Sequence, residues 1–198
     1  MTHALLRNLR ATSPAEVLAV GLGIVYVLLI LKRNRWGWVA GGLSSAIYVF
    51  LSARALLPMQ SVLQSYYVLM AIYGWFSWTR SQRESGGAIG RWPLRLHLIA
   101  VAVIVLMSLL TARWLARATH AAWPLLDSLT TWSSLLATWL VARMKLENWI
   151  YWICADTVMV FLFTAQGYAF TACLFLTYIV IAVFGYREWQ RKYRLQRV

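Results

Sequence analysis

Seven long apolar segments, divided by short breaks that carry charged residues, proline or glycine, make up most of the chain. The first begins at Ser13-Pro14-Ala15-Glu16, a capping box with proline at the first helical position, and runs to about Leu31. The other six cover residues 36–53, 60–79, 94–115, 124–144, 149–165 and 167–187. Each is long enough to cross a hydrocarbon core of roughly 30 Å as a helix. The pattern therefore predicts an all-α integral membrane protein with seven transmembrane helices in one membrane domain, residues 1–198.

The composition supports this prediction and excludes several other classes of protein. Hydrophobic residues make up 61% of the chain, with 12 tryptophans, whereas a soluble domain of this size has far more polar residues. Residues 1–12 lack the apolar core and small-residue cleavage site of a signal peptide, so we expect no cleaved leader. Cys154 and Cys173 both lie inside apolar segments, which argues against a disulfide or a metal site.

The basic residues are distributed unevenly between the two predicted sides of the membrane. Seven crossings place the termini on opposite sides, with 14 of the 19 Lys and Arg residues on the side of the C-terminus and 5 on the other. The positive-inside rule then predicts an external N-terminus and a cytoplasmic C-terminus. This asymmetry explains the net charge of +13 without nucleic acid as a partner. We expect the basic cytoplasmic tail, residues 190–198, to contact anionic headgroups of the lipid bilayer, with RNA or a protein as the alternative.

Two parts of the chain share a sequence pattern. The third segment contains Tyr67-x3-Ala71-x2-Gly74-x3-Trp78, and the seventh contains the same four residue types at the same spacing, at positions 178, 182, 185 and 189. All four pairs therefore share one offset along the chain. We also pair Asn34 and Trp38 with Asn148 and Trp152, at a slightly larger offset. Both similarities indicate that one unit of sequence occurs twice.

The pattern predicts an internal duplication in which residues 14–79, helices one to three, recur as residues 124–189, helices five to seven. Pro14 and Pro124 begin the two copies. Corresponding helices of the two copies are four helices apart along the chain. Because four is an even number of membrane crossings, both copies run in the same direction, and helix four, residues 94–116, is the linker. Parallel 3+1+3 repeats occur in transporters of the SWEET class, and transporter repeats hold substrate near mid-membrane where they meet. Duplication in a protein that transports nothing is the alternative.

One face of the sixth helix is polar and aromatic in an otherwise apolar sequence. Asn148, Trp152 and Asp156 follow one another at a spacing of four residues, and with Trp149 they fall within an arc of roughly 100°. Asp156 lies about 12 Å along the helix from Asn148, well inside the hydrocarbon core. A carboxylate there costs about 2.5 to 3.5 kcal/mol, so we expect it to face a cavity or a partner rather than lipid.

Two other helices add candidate ligand contacts. Thr131 lies on a polar stripe of the fifth helix, and Gln64, Tyr67 and Trp75 share an arc of about 80° on the third. Indole rings clamp a flat ring, and polar side chains bond hydroxyls, so we predict a small, planar ligand that carries hydroxyl groups. Each position has a simpler alternative. Small and hydroxyl residues pack helices, and tryptophans near the ends of spans form an interfacial belt.

The sequence contains no glycine-rich phosphate loop, no metal-ligand cluster and no nucleophile triad. We therefore predict neither an enzymatic activity nor a cofactor. Asp127 and Asp156 are the two acids that we place within the membrane, and Asp127 is near the outer end. Since this is a poor coupling-ion site, facilitated diffusion fits the sequence better than pumping.

Five longer motifs run through the chain between about residues 17 and 193. They are Asn34-Arg35-Trp36-Gly37-Trp38, Tyr66-Tyr67-x5-Tyr73-Gly74-Trp75-x2-Trp78, Asp127-Ser128-Leu129-Thr130-Thr131, Glu147-Asn148-Trp149-x2-Trp152-x3-Asp156 and Gly185-Tyr186-x2-Trp189. Together they resemble the PnuC family of bacterial vitamin transporters. The resemblance implies a 3+1+3 fold like that of a full-length SWEET transporter, in the bacterial inner membrane. It implies import of nicotinamide riboside by facilitated diffusion, with phosphorylation by a cytoplasmic kinase as the trap, and it suggests a homotrimer.

In this family the Trp-x2-Trp pair lies at the substrate site, which implies that Trp149 and Trp152, with Asn148 beside them, bind the substrate. We extend the predicted site to Gln64, Tyr67, Trp75, Thr131 and Asp156. Similar proteins are assigned to thiamine, riboflavin or deoxynucleosides, and the motifs do not separate these substrates. An integral-membrane scaffold whose aromatic faces only pack helices is the remaining alternative.

Overall fold

The protein is built from α-helices. In the computed structural model the described residues are 13–54, 58–118 and 123–196. Within these ranges the helices are α1 (Pro14–Leu31), α2 (Trp36–Arg54), α3 (Pro58–Ser85), α4 (Leu94–Ala118), α5 (Pro124–Ala142), α6 (Asn148–Ala165) and α7 (Ala169–Leu195). The predicted all-α class is confirmed, with one helix for each of the seven apolar segments.

Two helix ends show how local sequence sets the boundaries. α1 begins after Ser13, whose hydroxyl accepts a hydrogen bond from the Glu16 amide at 3.2 Å, so the predicted N-terminal cap is confirmed. α5 ends at Ala142, two residues earlier than predicted. Met144 takes a left-handed conformation, with φ of 49°, which does not continue a right-handed helix.

α3 and α7 extend further than hydropathy predicts. α3 continues to Ser85 and α7 to Leu195, so most of the predicted basic tail is helical. Hydropathy marks where a span leaves the membrane, whereas charged residues continue a helix readily in water. Ion pairs one turn apart stabilise both extensions. They are Arg80 with Glu84 on α3, and Lys192 with Glu188 on α7.

Five helices of the described part of the chain are long and apolar enough to cross a membrane. They are α1, α2, α4, α6 and residues Thr171–Leu195 of α7. α3 and α5 carry the polar stripes noted in the sequence, and hydroxyl and amide side chains lower the mean hydropathy of a helix. Polar residues in membrane helices face the interior of a bundle, so this composition is compatible with crossing. The crossing of α3 and α5 stays a prediction.

The described residues form two compact units, divided between Glu84 and Ser85. Unit 1 contains α1, α2 and nearly all of α3. The buried Ser44 hydroxyl on α2 donates to a carbonyl of α1 at 2.7 Å. The ring of Tyr26 on α1 covers Gly41 of α2, where a Cβ atom would lie 2.7 Å from the ring. Small residues thus allow α1 and α2 to approach closely.

Unit 2 contains α4 to α7, in which α5 packs against α4 and α6, and α6 packs against α7. α4 buries a narrow stripe formed by Ile104, Ser108 and Ala112, each one turn from the next. Trp132 on α5 donates its indole N–H to the Thr111 hydroxyl of α4 at 3.1 Å. The large apolar side chains around the rest of α4 are mostly exposed in unit 2, as expected of a helix that contacts lipid or another apolar surface.

The same turn ends α1 in unit 1 and α5 in unit 2. Arg33 and Met144, which correspond at the offset that pairs Tyr67 with Tyr178, both adopt left-handed conformations, with φ of 57° and 49°. In each turn the next amide donates to the carbonyl five positions back, at 2.8 Å for Asn34 and 2.9 Å for Lys145. Both turns are Schellman motifs. Left-handed residues other than glycine are strained by about 1 to 3 kcal/mol, so this turn is a specific feature that the two units share.

Each unit also contains a pair of tryptophans, one of which packs its ring on a glycine. In unit 1, Trp38 lies on Gly74 and meets the next tryptophan of α3 edge to face, with ring centroids 5.7 Å apart and planes at 90°. In unit 2, Trp149, Gly185 and Trp189 form the same arrangement at 5.6 Å and 87°. The recurrence within each unit supports the predicted duplication.

These contacts correct one pairing made from the sequence. Trp38 corresponds to Trp149, at the same offset as the rest of the repeat, and not to Trp152. The two tryptophans of α6 are three residues apart, so the sequence allows either of them to align with Trp38. Only the contact of Trp149 with Gly185 shows which alignment is correct. At the shared offset Trp152 corresponds to Gly41. The parallel direction of the two copies stays a prediction.

Candidate functional site at the start of helix α6

The turn between α5 and α6 directs the sixth-helix motif into the interior of unit 2. The Schellman motif at Met144 reverses the chain, and the four residues from Leu146 to Trp149 are all buried. α6 then begins at Asn148. α6 packs against both α5 and α7, and the ring of Trp149 in its first turn contacts Gly185 of α7.

Two buried polar atoms at the start of α6 have no hydrogen-bond partner among the described residues. The Asn148 side chain donates from Nδ2 to the Lys145 carbonyl at 2.7 Å, which leaves its Oδ1 unpaired. The following residue, Trp149, has an unpaired Nε1–H. Asn148 is 0% exposed and Trp149 is 3% exposed. A buried polar atom without a partner costs about 1 to 3 kcal/mol, so this acceptor and donor are candidates for ligand contacts. The indole Nε1–H of the corresponding Trp38 is unpaired as well in the described part of unit 1.

The ring of Trp149 is engaged in packing within unit 2. A Cβ atom on Gly185 would lie 2.7 Å from three atoms of this ring, and Trp189 meets the ring edge to face. Trp38 packs in the same way in unit 1, which marks the contact as part of the repeated architecture. The indole of Trp149 therefore joins α6 to α7. Its stacking on a substrate stays a prediction.

Trp152 lies one turn beyond Asn148 and is half-buried. In unit 1 the ring of Tyr26 fills the space above the corresponding residue, Gly41. In unit 2 the residue that corresponds to Tyr26 is Ala137, which is small and fully buried. Of these two corresponding positions, unit 1 carries its large ring on α1, as Tyr26, whereas unit 2 carries its large ring on α6, as Trp152. It gives α6 a partly accessible indole on the face that carries Asn148.

Asp156 completes this face two turns beyond Asn148 and is only 6% exposed. Its burial agrees with the expectation that the carboxylate does not face lipid. Thr131 on α5, the other candidate in unit 2, is half-buried and donates its hydroxyl to the Asp127 carbonyl at 2.9 Å. The Thr131 oxygen keeps its lone pairs and remains an acceptor.

The three candidates on α3 belong to unit 1. Gln64 and Tyr67 are half-buried, and the Tyr67 ring lies 5.8 Å from that of its neighbouring tyrosine. Trp75 meets Trp36 edge to face at 5.2 Å, and the Arg35 guanidinium lies 5.0 Å from its ring centroid. A cation–π contact therefore already covers part of Trp75, which the sequence did not show.

Glu147 has contacts that the sequence did not reveal. It is 5% exposed, and its carboxylate accepts from Arg91 Nε at 2.9 Å and from the Trp92 amide at 3.3 Å. The hydrogen bond to Glu147 raises the pKa of Arg91 above its usual value. The sequence placed Arg91 and Trp92 in a break between helices. One signal was available, since a carboxylate between buried neighbours needs a cationic partner.

Comparison with known proteins identifies relatives of the chain. A family model described as "Nicotinamide mononucleotide transporter" matches residues 13–191. The riboflavin/roseoflavin transporter RibM of Streptomyces davaonensis is 27% identical in an alignment of 175 positions that covers 85% of this chain and 80% of that protein. The nicotinamide riboside transporters PnuC of Escherichia coli and Shigella flexneri are each 26% identical in an alignment of 155 positions that covers 65% of this chain. That alignment covers 64% of their length, just under two thirds.

One solved structure shares the fold. The crystal structure of the vitamin B3 transporter PnuC matches with a TM-score of 0.75 over 98% of this chain and 87% of that one, at 21% sequence identity. At this identity the likeness is one of fold, and it confirms the predicted fold class.

Proposed function

The chain belongs to the nicotinamide mononucleotide transporter family, and we propose that it imports nicotinamide riboside by facilitated diffusion. Its relatives include transporters of nicotinamide riboside and of riboflavin, two vitamins with a flat ring and several hydroxyls. The ligand class agrees with the one that the polar and aromatic faces of the helices predict. The proposal involves no enzymatic step and no cofactor in this chain.

The unpaired Asn148 Oδ1 and Trp149 Nε1–H carry the proposal. The carboxamide of nicotinamide has an NH2 group that donates and a carbonyl that accepts. These are the two groups that the protein atoms lack. Each hydrogen bond to the ligand would pair a buried atom that costs about 1 to 3 kcal/mol while it is unpaired. A ligand hydroxyl also donates and accepts, so a ribose hydroxyl is the alternative partner for these two atoms.

The roles of the other contacts follow from their chemistry. We propose that Trp152 stacks on the positively charged pyridinium ring, a cation–π contact of about 0.5 to 2 kcal/mol. Asp156 would supply a negative charge to the same ring. The ribose hydroxyls would form hydrogen bonds with the polar side chains, because a hydroxyl both donates and accepts. In unit 2 the proposed substrate contacts are Asn148, Trp149, Trp152, Asp156 and Thr131. In unit 1 the candidates Gln64, Tyr67 and Trp75 stay predictions.

Riboflavin is the second candidate, because the longest of the three alignments with known transporters is to a riboflavin transporter. Its ring system is neutral and needs no buried carboxylate. Thiamine carries a positive ring and would use Asp156 as nicotinamide riboside does. Deoxynucleosides offer a flat ring without that charge. The charge of the preferred ligand therefore separates these alternatives.

The cellular setting is also a proposal. We place the chain in the bacterial inner membrane, with the N-terminus outside and the basic C-terminus in the cytoplasm. Since facilitated diffusion moves a solute only down its electrochemical gradient, we propose that phosphorylation by a cytoplasmic kinase traps the imported vitamin. A homotrimer is the assembly that the family resemblance suggests.

Thermal unfolding of the purified protein with a panel of vitamins tests this function. A ligand at 100 times its Kd adds about 2.7 kcal/mol to the stability of the folded state. We expect this stabilisation with nicotinamide riboside, and uptake into proteoliposomes without an ion gradient. A membrane scaffold would show no stabilisation with nicotinamide riboside, thiamine, riboflavin or thymidine, and that result would reject the proposal.

A further inference from the structure

We call residues 87–92, between α3 and α4, the strap. Backbone groups of the strap form hydrogen bonds with two other parts of unit 2. Gly90 exchanges two backbone hydrogen bonds, each of 3.0 Å, with the turn between α5 and α6. The buried Ile89 donates its amide to Gln196 Oε1, just beyond α7, at 3.1 Å. The strap is therefore an ordered part of unit 2 and not a free connection.

The strap also surrounds the carboxylate of Glu147. Arg91 Nε contacts Oε1 at 2.9 Å, and the Trp92 amide contacts Oε2 at 3.3 Å. The side chain of Glu147 is only 6% exposed, whereas that of Arg91 is 52% exposed and also lies 6.0 Å from the centroid of the Tyr193 ring. The buried member of this ion pair is thus the acid, and both of its oxygens are bound by the strap.

Glu147 stands at the N-cap position of α6. A polar side chain at this position usually accepts a hydrogen bond from one of the first amides of its own helix. In the described part of unit 2 the Glu147 side chain makes no such bond. Its acceptors are directed at the strap instead, while its charge remains favourable beside the positive end of the helix dipole. The Glu147 side chain therefore links α6 to the strap and does not cap its own helix.

A second connection reaches α6 one turn later. The ring of Trp92 in the strap lies 5.4 Å from that of His97 and 5.5 Å from that of Trp139. His97 Nδ1 and the Tyr151 hydroxyl are 3.0 Å apart, and the two rings stack. The strap thus contacts α6 directly at Glu147 and through His97 at Tyr151. Asn148 and Trp149 lie between these two contacts.

We propose that Glu147 is a positioning residue, which uses Arg91 and Trp92 of the strap to fix the first turn of α6 and so to direct Asn148 and Trp149 toward the substrate. This inference rests on the proposed function, in which those two side chains bind the ligand. Binding groups need support that holds them within about 0.5 Å of the productive geometry. The strap supplies such support from outside the helix that carries them.

The test replaces Glu147 with glutamine, which keeps the size of the side chain and removes its charge. We expect the Kd for nicotinamide riboside to rise about tenfold, as the loss of a charge-assisted hydrogen bond predicts. We also expect faster amide hydrogen exchange at residues 87–92 and 148–151, measured without ligand by mass spectrometry. Arg91→Lys keeps the charge but not the Nε contact and should show both effects more weakly.

Glu188→Gln is the matched control, because it removes another ion-paired carboxylate of unit 2, which contacts Arg191 and Lys192 on α7. It should change neither the Kd nor exchange at the first turn of α6. Glu147→Gln with wild-type affinity and exchange would overturn the inference, as would equal losses in the control. If Glu147→Gln does not fold, Arg91→Lys with unchanged affinity overturns it. A wild-type chain that binds no vitamin of the panel rejects the proposed function first, and the positioning role with it.

Discussion

Replacement of Gly185 with alanine should force the Trp149 ring away from α7. A Cβ atom at this position would lie 2.7 Å from three ring atoms, about 1 Å inside ordinary carbon contact. The ring has little room to move, since Trp149 is almost fully buried and Trp189 lies against it. Overpacking of this kind costs about 1 to 3 kcal/mol. In a chain of this length that corresponds to a fall of roughly 2 to 12 °C in Tm.

The assay is thermal unfolding of the purified protein in detergent, with Gly21→Ala as the control. A Cβ atom on Gly21 meets nothing within 4 Å, so this variant should be neutral or more stable by up to about 1 kcal/mol. The double variant Gly185→Ala with Trp149→Phe should recover part of the loss, because the smaller ring leaves space. If Gly185→Ala unfolds at the same temperature as Gly21→Ala, the packing of Trp149 on α7 does not hold and the reasoning is refuted.

Two further predictions concern the accessible end of the same face. Trp152→Ala should abolish uptake and raise the Kd at least about tenfold, which corresponds to ~1.4 kcal/mol, while the exposed Trp114→Ala on α4 behaves as wild type. Normal uptake by well-folded Trp152→Ala protein would reject the stacking role. Asp156→Asn should weaken binding of the positively charged nicotinamide riboside by about 5- to 30-fold in calorimetry and leave that of neutral riboflavin unchanged. Equal affinities of the Asn variant and the wild type for nicotinamide riboside would leave Asp156 a packing residue.

The helices were predictable because their signals are local. The cap at Ser13, prolines at the starts of helices and the apolar segments define α1, α2 and α4 to within a few residues. The hydroxyl stripe of α5 was visible for the same reason. The similarity between the two parts of the chain was also visible, because Gly74 and Gly185 are each followed by a tryptophan one turn later. These features depend on neighbours in sequence.

Contacts between distant residues were not predictable in the same way. The sequence alone does not distinguish the roles of Trp149 and Trp152. Only the contact of the Trp149 ring with Gly185 shows that Trp149 packs on α7. The ion pair of Glu147 with Arg91 joins residues 56 positions apart across a segment without periodicity. The Arg35 contact with Trp75 likewise depends on how α2 meets α3 in unit 1. Spacing along one helix carries no information about such partners.

Calorimetric titration of wild type and Asn148→Leu with nicotinamide riboside tests most directly whether the unpaired atoms of α6 bind the substrate. Leucine has nearly the shape of asparagine but cannot accept a hydrogen bond. The variant also loses the bond to the Lys145 carbonyl, at a cost in stability of about 1 kcal/mol. We predict saturable binding by the wild type and a Kd at least about tenfold higher in the variant, a difference of ~1.4 kcal/mol. Equal affinity in the two proteins, or no binding by the wild type, would contradict the account.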